Sequence, residues 1–73
     1  METNYRIQYL RRGEKTIATN KKGEQLTFNS PGEARAYMNK VRINEPNNPV
    51  TFMNRVDICE FNGDTFVSVV GQF

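Results

Sequence analysis

The chain has 73 residues, one Cys, no His, no Trp, and 10 basic against 8 acidic residues, a formal charge of +2. That length makes a single domain, 1–73, and 37% hydrophobic residues supply one small core but no buried substrate cavity beside it. Without imidazole there is no general acid or base titrating near neutrality and no His metal ligand, and a lone Cys59 forms neither an internal disulfide nor a multi-thiolate zinc site.

Tyr5 to Leu10 alternates apolar and polar residues as a strand does. Arg12-Gly13-Glu14-Lys15 is a turn, with Gly13-Glu14 expected at its centre. Thr16 to Thr19 is a short β-prone run. Asn20-Lys21-Lys22-Gly23 is a second turn, in which Gly23 takes the left-handed position of a three-residue loop, and Gln25 to Phe28 is the expected third strand. These turns set Tyr9 opposite Ala18, Leu10 opposite Ile17, Ala18 opposite Leu26 and Thr16 opposite Phe28. One face of the meander then collects Tyr5, Ile7, Tyr9, Ala18, Leu26 and Phe28, a core face. The other collects Arg6, Gln8, Leu10, Arg12, Lys15, Ile17 and Thr19. It is basic and polar, with Leu10 and Ile17 as its one apolar pair.

Ser30-Pro31-Gly32-Glu33 carries a helix start. Ser30 is placed to cap, Glu33 stands three residues on as a capping box requires, and Pro31 falls where its missing N–H costs nothing. The helix runs to about Arg42, with Ala34, Tyr37, Met38 and Val41 as one apolar stripe, Lys40 and Arg42 in the last turn, and Asn44 and Pro46 to end it. Asn44 to Pro49 is a loop by composition. Asn62-Gly63 predicts a hairpin turn, because both central residues of such a turn need positive φ. Val56 then faces Val69, Ile58 faces Val67, and Glu60 faces Thr65. Val56, Ile58, Val67 and Val69 form the expected core side. The other side holds Arg55, Asp57, Cys59, Phe61, Phe66 and Val70 and is partly exposed. The predicted order is β-β-β-α-β-β, an α+β domain with one antiparallel sheet and a helix packed on one face. Local pattern does not decide whether the last hairpin joins the first sheet.

Met1 to Leu10 is polar and lacks an apolar signal-peptide core, and no apolar run approaches the ~18 residues of a membrane span. With no disulfide framework, a soluble, cytoplasmic protein that does not contact membrane is the expectation. Catalysis is not expected. Ser30 serves as a cap, Ser68 lies on a strand with no His to activate it, and Asp57 and Glu60 point to opposite faces of their strand. Asp57, Glu60 and Asp64 lack calcium-loop spacing, the five Gly sit in turns or at the terminus, and Cys59 suits a half-buried apolar position. No cofactor and no metal are therefore expected.

What remains is surface. Residues 1–42 hold nine basic residues (Arg6, Arg11, Arg12, Lys15, Lys21, Lys22, Arg35, Lys40, Arg42) against four acids, a net of +5, while residues 43–73 net −3. Such a dipolar layout favours oriented docking on a charged partner. Arg6, Leu10, Arg11, Arg12, Lys15, Ile17, Lys21 and Lys22 are the candidate partner-binding residues, an apolar spot rimmed by cations. A second apolar surface gathers Cys59, Phe61, Phe66, Val70 and the final Phe73.

Two resemblances bear on the partner. Over residues 5–42 the meander followed by Phe28-Asn29-Ser30-Pro31-Gly32-Glu33-Ala34 looks like the small arm-site DNA-binding domain of phage integrases, three strands and then a helix; the hairpin at 55–71 departs from that pattern. The whole chain, in its length and in its basic stretch from Tyr5-Arg6-Ile7-Gln8-Tyr9-Leu10-Arg11-Arg12 onward with an acidic remainder, is similar to the small lytic-phage regulators that bind host RNA polymerase, shut off host transcription and let polymerase read through terminators. That resemblance implies no catalysis and a partner surface on the polymerase largest subunit near the RNA exit channel. The leading expectation is thus a non-enzymatic, phage-type regulator that binds host RNA polymerase. A DNA-binding module using the basic meander and an obligate homodimeric interaction protein are the alternatives, and the direction of any regulatory effect stays open.

Overall fold

A computed structural model describes residues 2–48 and 55–72. Their elements are β1 (Thr3–Arg11), β2 (Glu14–Ile17), α1 (Pro31–Asn44), β3 (Val56–Asn62) and β4 (Thr65–Gln72). The four strands make one antiparallel sheet in the order β2-β1-β3-β4, and α1 packs on one face. The α+β class is as the residue pattern implies. The last hairpin joins the first through β1 and β3, where Ile7 stands opposite Ile58 and Gln8 opposite Asp57.

The first hairpin turns at Arg12-Gly13, one residue earlier than expected. Both residues have positive φ, 54° and 81°, the pattern of a type I′ turn whose twist matches the strands it joins. Arg11 therefore faces Glu14, and Leu10 faces Lys15 where Ile17 was expected. The pairing moves by two residues, and an even shift leaves every side chain on its predicted face.

The expected third strand is not one. The turn at Asn20 forms, with Asn20 Oδ1 accepting from the Lys22 and Glu24 amides at 2.8 and 3.1 Å, and Leu26 N donates to Ala18 O at 3.0 Å. Phe28 then leaves β2 and pairs with Tyr5, each amide donating to the other's carbonyl at 2.9 and 2.8 Å. Ala18 N already donates to Ile7 O, so Phe28 fills the next free position along the same edge of β1. Backbone groups of β1 left bare by the short β2 thus capture residue 28, and residues 25–28 are a strap held by bridges.

Helix α1 starts as its sequence dictates. Ser30 Oγ accepts from Glu33 N at 3.2 Å, and a Glu33 carboxylate oxygen accepts from Asn29 N at 2.8 Å. It runs two residues past Arg42, and Glu45 N closes it on Val41 O at 2.8 Å. Ala34, Met38 and Val41 lie buried against Ile7, Ala18, Val56 and Ile58, with Tyr5, Tyr9, Leu26, Phe28 and Tyr37 packed around them. The Phe28 and Tyr37 rings meet at 5.5 Å.

The second hairpin corrects two expectations. Its turn is Gly63-Asp64, flanked by Asn62 and Thr65, and Gly63 takes φ 60°. Positive φ at the first central residue alone is what a Gly-X hairpin turn needs. Val67 and Val69 are not core: both are exposed, as are Phe66 and Val70. The reason lies in two register shifts, which insert an extra residue into β4 between Phe66 and Ser68 and again between Val69 and Gly71. Val69 falls opposite Cys59 and Gly71 opposite Ile58, so the helix face of β4 holds a glycine where a large side chain was expected.

Candidate functional site

The eight candidate partner-binding residues separate into three groups. Arg6 is withdrawn from the surface. Only 7% of it is accessible, and its guanidinium is held from every side. Nε donates to Asn4 Oδ1 at 3.0 Å, Nη2 to Gly63 O at 3.0 Å and to Asp64 Oδ1 at 2.8 Å, and Nη1 to Gln25 Oε1. The guanidinium also lies 4.4 Å from the centre of the Phe61 ring, which meets Phe66 edge-on at 5.9 Å. This side chain ties the strap and the β3–β4 turn to β1. Strand parity alone places it on the open face; the acceptors that cover it come from residues 25 and 63–64, far along the chain.

Leu10, Arg11, Arg12 and Lys15 stay at the tip of the first hairpin, all exposed, Leu10 at 44%. Ile17 is half-buried opposite Gln8. Arg12 holds φ 54°, a left-handed conformation that suits Gly, Asn or Asp and strains a long side chain. The strained residue at this tip is therefore a cation directed into solvent, beside an uncovered leucine.

Lys21 and Lys22 are exposed on the Asn20 turn. Lys21 and Arg11 line one cleft of about 280 Å³ with Tyr9, Thr19, Asn20, Tyr37 and Asn48. Burial, and secondarily the Glu45 carboxylate, pushes the Tyr37 hydroxyl above its ordinary pKa, so the phenol stays a neutral donor. On the face away from α1, a hollow of about 140 Å³ is lined by Gln8, Leu10, Lys15, Arg55, Asp57 and Val69. Asp57, buried, accepts from Arg55 Nε at 3.4 Å. Cys59 is fully covered rather than half-buried, and burial first, then Asp57, raises its thiol pKa against an opposing pull from Lys15.

Ser30 is occupied in the helix cap. Asp57 and Glu60 stand opposite Gln8 and Tyr5, on opposite faces of the sheet. Among the described residues no three His, Cys, Asp or Glu side chains gather as a metal site, no helix is long and apolar enough to cross a membrane, and every buried side-chain nitrogen or oxygen has a partner. Phe73 lies outside the described residues. Of the expected second apolar surface, Phe66 and Val70 are exposed while Cys59 and Phe61 are buried; Val67 and Val69 join the exposed run of β4, which an unbroken ladder would have put in the core.

No known protein family, no curated protein and no solved structure matches this chain.

Proposed function

We propose that the protein is a non-enzymatic binding protein that docks on host RNA polymerase, as a phage-type regulator of transcription, through the tip of its first hairpin. The observation that carries this reading is the exposed Leu10 paired with Lys15 on the face away from α1, with Arg11 on the other face of the same tip and Arg12 held in a left-handed turn position that a smaller residue fills at lower cost. An uncovered leucine rimmed by cations suits a shallow apolar pocket with an acidic border: the leucine anchors and the cations steer. Polymerase as the owner of that pocket rests on the resemblance to the small phage regulators in length and in the basic stretch followed by an acidic remainder. Nothing in this role requires a cofactor.

The test is association with immobilised bacterial RNA polymerase. Arg11→Glu with Arg12→Glu slows association and flattens its dependence on salt, whereas Leu10→Asp mainly speeds dissociation. No binding to polymerase, or binding indifferent to both variants, rejects the proposal. Salt-sensitive, sequence-specific retention of bare duplex DNA in its place assigns the tip to nucleic acid.

A further inference from the structure

The two edges of the sheet differ in kind. The β2 edge is four residues long and carries Glu14 and Lys15, the charged, short form that discourages another strand from pairing. The β4 edge is eight residues long, from Thr65 to Gln72, without a charged residue or a proline. Phe66, Val67, Val69 and Val70 are each 41–49% exposed along it. An edge bulge commonly deflects pairing by adding twist, but here the two inserted residues, Val67 and Val70, are themselves apolar, so the irregularity brings out valines in place of charges.

The order of these residues identifies the occupant. They are disposed symmetrically about Ser68. An antiparallel β4–β4 pair with its two-fold axis at Ser68 sets Phe66 opposite Val70, Val67 opposite Val69, and Ser68 opposite Ser68 of the second copy. Each apolar residue meets another, no like charges meet, and the contact is isologous, so it closes at two copies. A segment that is its own best complement points to a second copy of this chain.

We infer that the protein self-associates through β4, joining two four-stranded sheets into one sheet of eight strands in the order β2-β1-β3-β4-β4-β3-β1-β2. The arrangement covers the uncharged β4 edge and leaves both hairpin tips free at the outer ends. At the usual spacing between strands the two β2 edges stand roughly 34 Å apart. A dimer therefore presents the basic tip twice, facing outward, and binding at the tips does not compete with pairing.

Sedimentation velocity of the full chain at tens to hundreds of micromolar tests this. The wild-type chain sediments as a dimer; a monomer at the highest concentration overturns the inference. Val67→Lys with Val69→Lys sets lysine opposite lysine on both sides of the axis and raises the dimer dissociation constant by about tenfold or more. Val67→Glu with Val69→Lys is equally polar but places opposite charges face to face across the axis, and it stays dimeric. A lysine pair that leaves the dimer intact, or a Glu/Lys variant as monomeric as the lysine pair, overturns the β4 register. Val67 and Val69 are exposed in the fold and outside the core cluster, so circular dichroism of both variants matches the wild type. Ser68→Cys gives a covalent dimer on mild oxidation and Thr65→Cys does not; equal crosslinking of the two overturns the axis at residue 68. Arg11→Glu with Arg12→Glu leaves the dimer unchanged, which separates failure of this pairing from failure of tip docking.

Discussion

Replacing Arg6 with Ala tests whether that cation holds the fold together or meets a partner. Its guanidinium donates to Asn4, Gln25, the Gly63 carbonyl and Asp64, and lies over Phe61. The acceptors are not stranded by its loss. Asn4 Nδ2 still donates to Gly63 O at 2.9 Å, and Gln25 and Asp64 are exposed to water. The cost is therefore that of the lost interactions, not of orphaned polar atoms. Charge-assisted hydrogen bonds from a covered donor contribute about 1.5–3 kcal/mol and the cation–π contact about 0.5–1 kcal/mol. The Asp64 ion pair adds little, since that carboxylate is 97% exposed and screened. A loss of about 2–4 kcal/mol, against a total on the order of 5 kcal/mol for a domain of this size, lowers Tm by on the order of 10–30 °C. Arg6→Met, which keeps the stem on Phe61, falls between Ala and wild type. Thermal and urea unfolding followed by far-UV circular dichroism measure both. An Arg6→Ala chain with wild-type Tm and urea midpoint refutes the structural role, and one that keeps its stability but loses partner binding as the Arg11/Arg12 reversal does returns Arg6 to the surface.

Three further outcomes are expected. Arg12→Asn relieves the left-handed strain and raises stability by about 0.5–1 kcal/mol while slowing association with the partner; a variant equal to wild type in both unfolding and binding removes the reason for reading Arg12 as functional. Ser30→Ala removes the side-chain cap on Glu33 N and costs about 1 kcal/mol, read from the urea midpoint; a change below a few tenths means that water replaces the hydroxyl at no cost. Burial, then Asp57, holds the Cys59 pKa up in the fold, so its contribution is whole below the ordinary thiol range of about 8.5 and is lost as pH rises toward the folded value. Tyr37, raised by burial and then Glu45, has the same sign at higher pH. Urea midpoints between about pH 8 and 10 therefore fall more steeply for wild type than for Cys59→Ala, and parallel curves exclude the thiol as a source of alkaline destabilisation.

The helix was legible because its information is local: a cap, a proline and an apolar stripe all lie within one segment, and Ser30, Pro31, Glu33, Met38 and Val41 each stand where their chemistry puts them. Strand faces were legible for a related reason. The turn at Arg12-Gly13 differs from the expected one by an even shift in pairing, and parity survives even shifts. What local pattern does not hold is competition between distant partners. Phe28 has the residues for pairing with Thr16, yet the bare edge of β1 at Tyr5 takes it. Val67 and Val69 alternate as core residues, yet two inserted residues move Val69 opposite Cys59. Of the candidate site, the tip was legible because a turn puts any charged residue outside. Arg6 was misplaced because alternation gives a face and says nothing of what folds over that face.

Withdrawal of Arg6 changes the electrostatic argument as well as the packing. Its ion pair with Asp64 joins one cation of the basic stretch to one anion of the acidic remainder. The division of +5 and −3 read along the chain thus becomes +4 and −2 once that pair is set aside. The remaining steering charge is concentrated. Arg11, Arg12 and Lys15 crowd one hairpin tip against Glu14, while the opposite sheet edge from Thr65 to Gln72 carries no charge. A small domain with both edges charged resists strand pairing at either side, and one with both edges bare polymerises. Having one of each permits a single closed pairing and, on the docking proposed above, leaves the charged tips to meet the other partner. On the docking and pairing proposed above, selectivity lies in the difference between the two edges of the sheet.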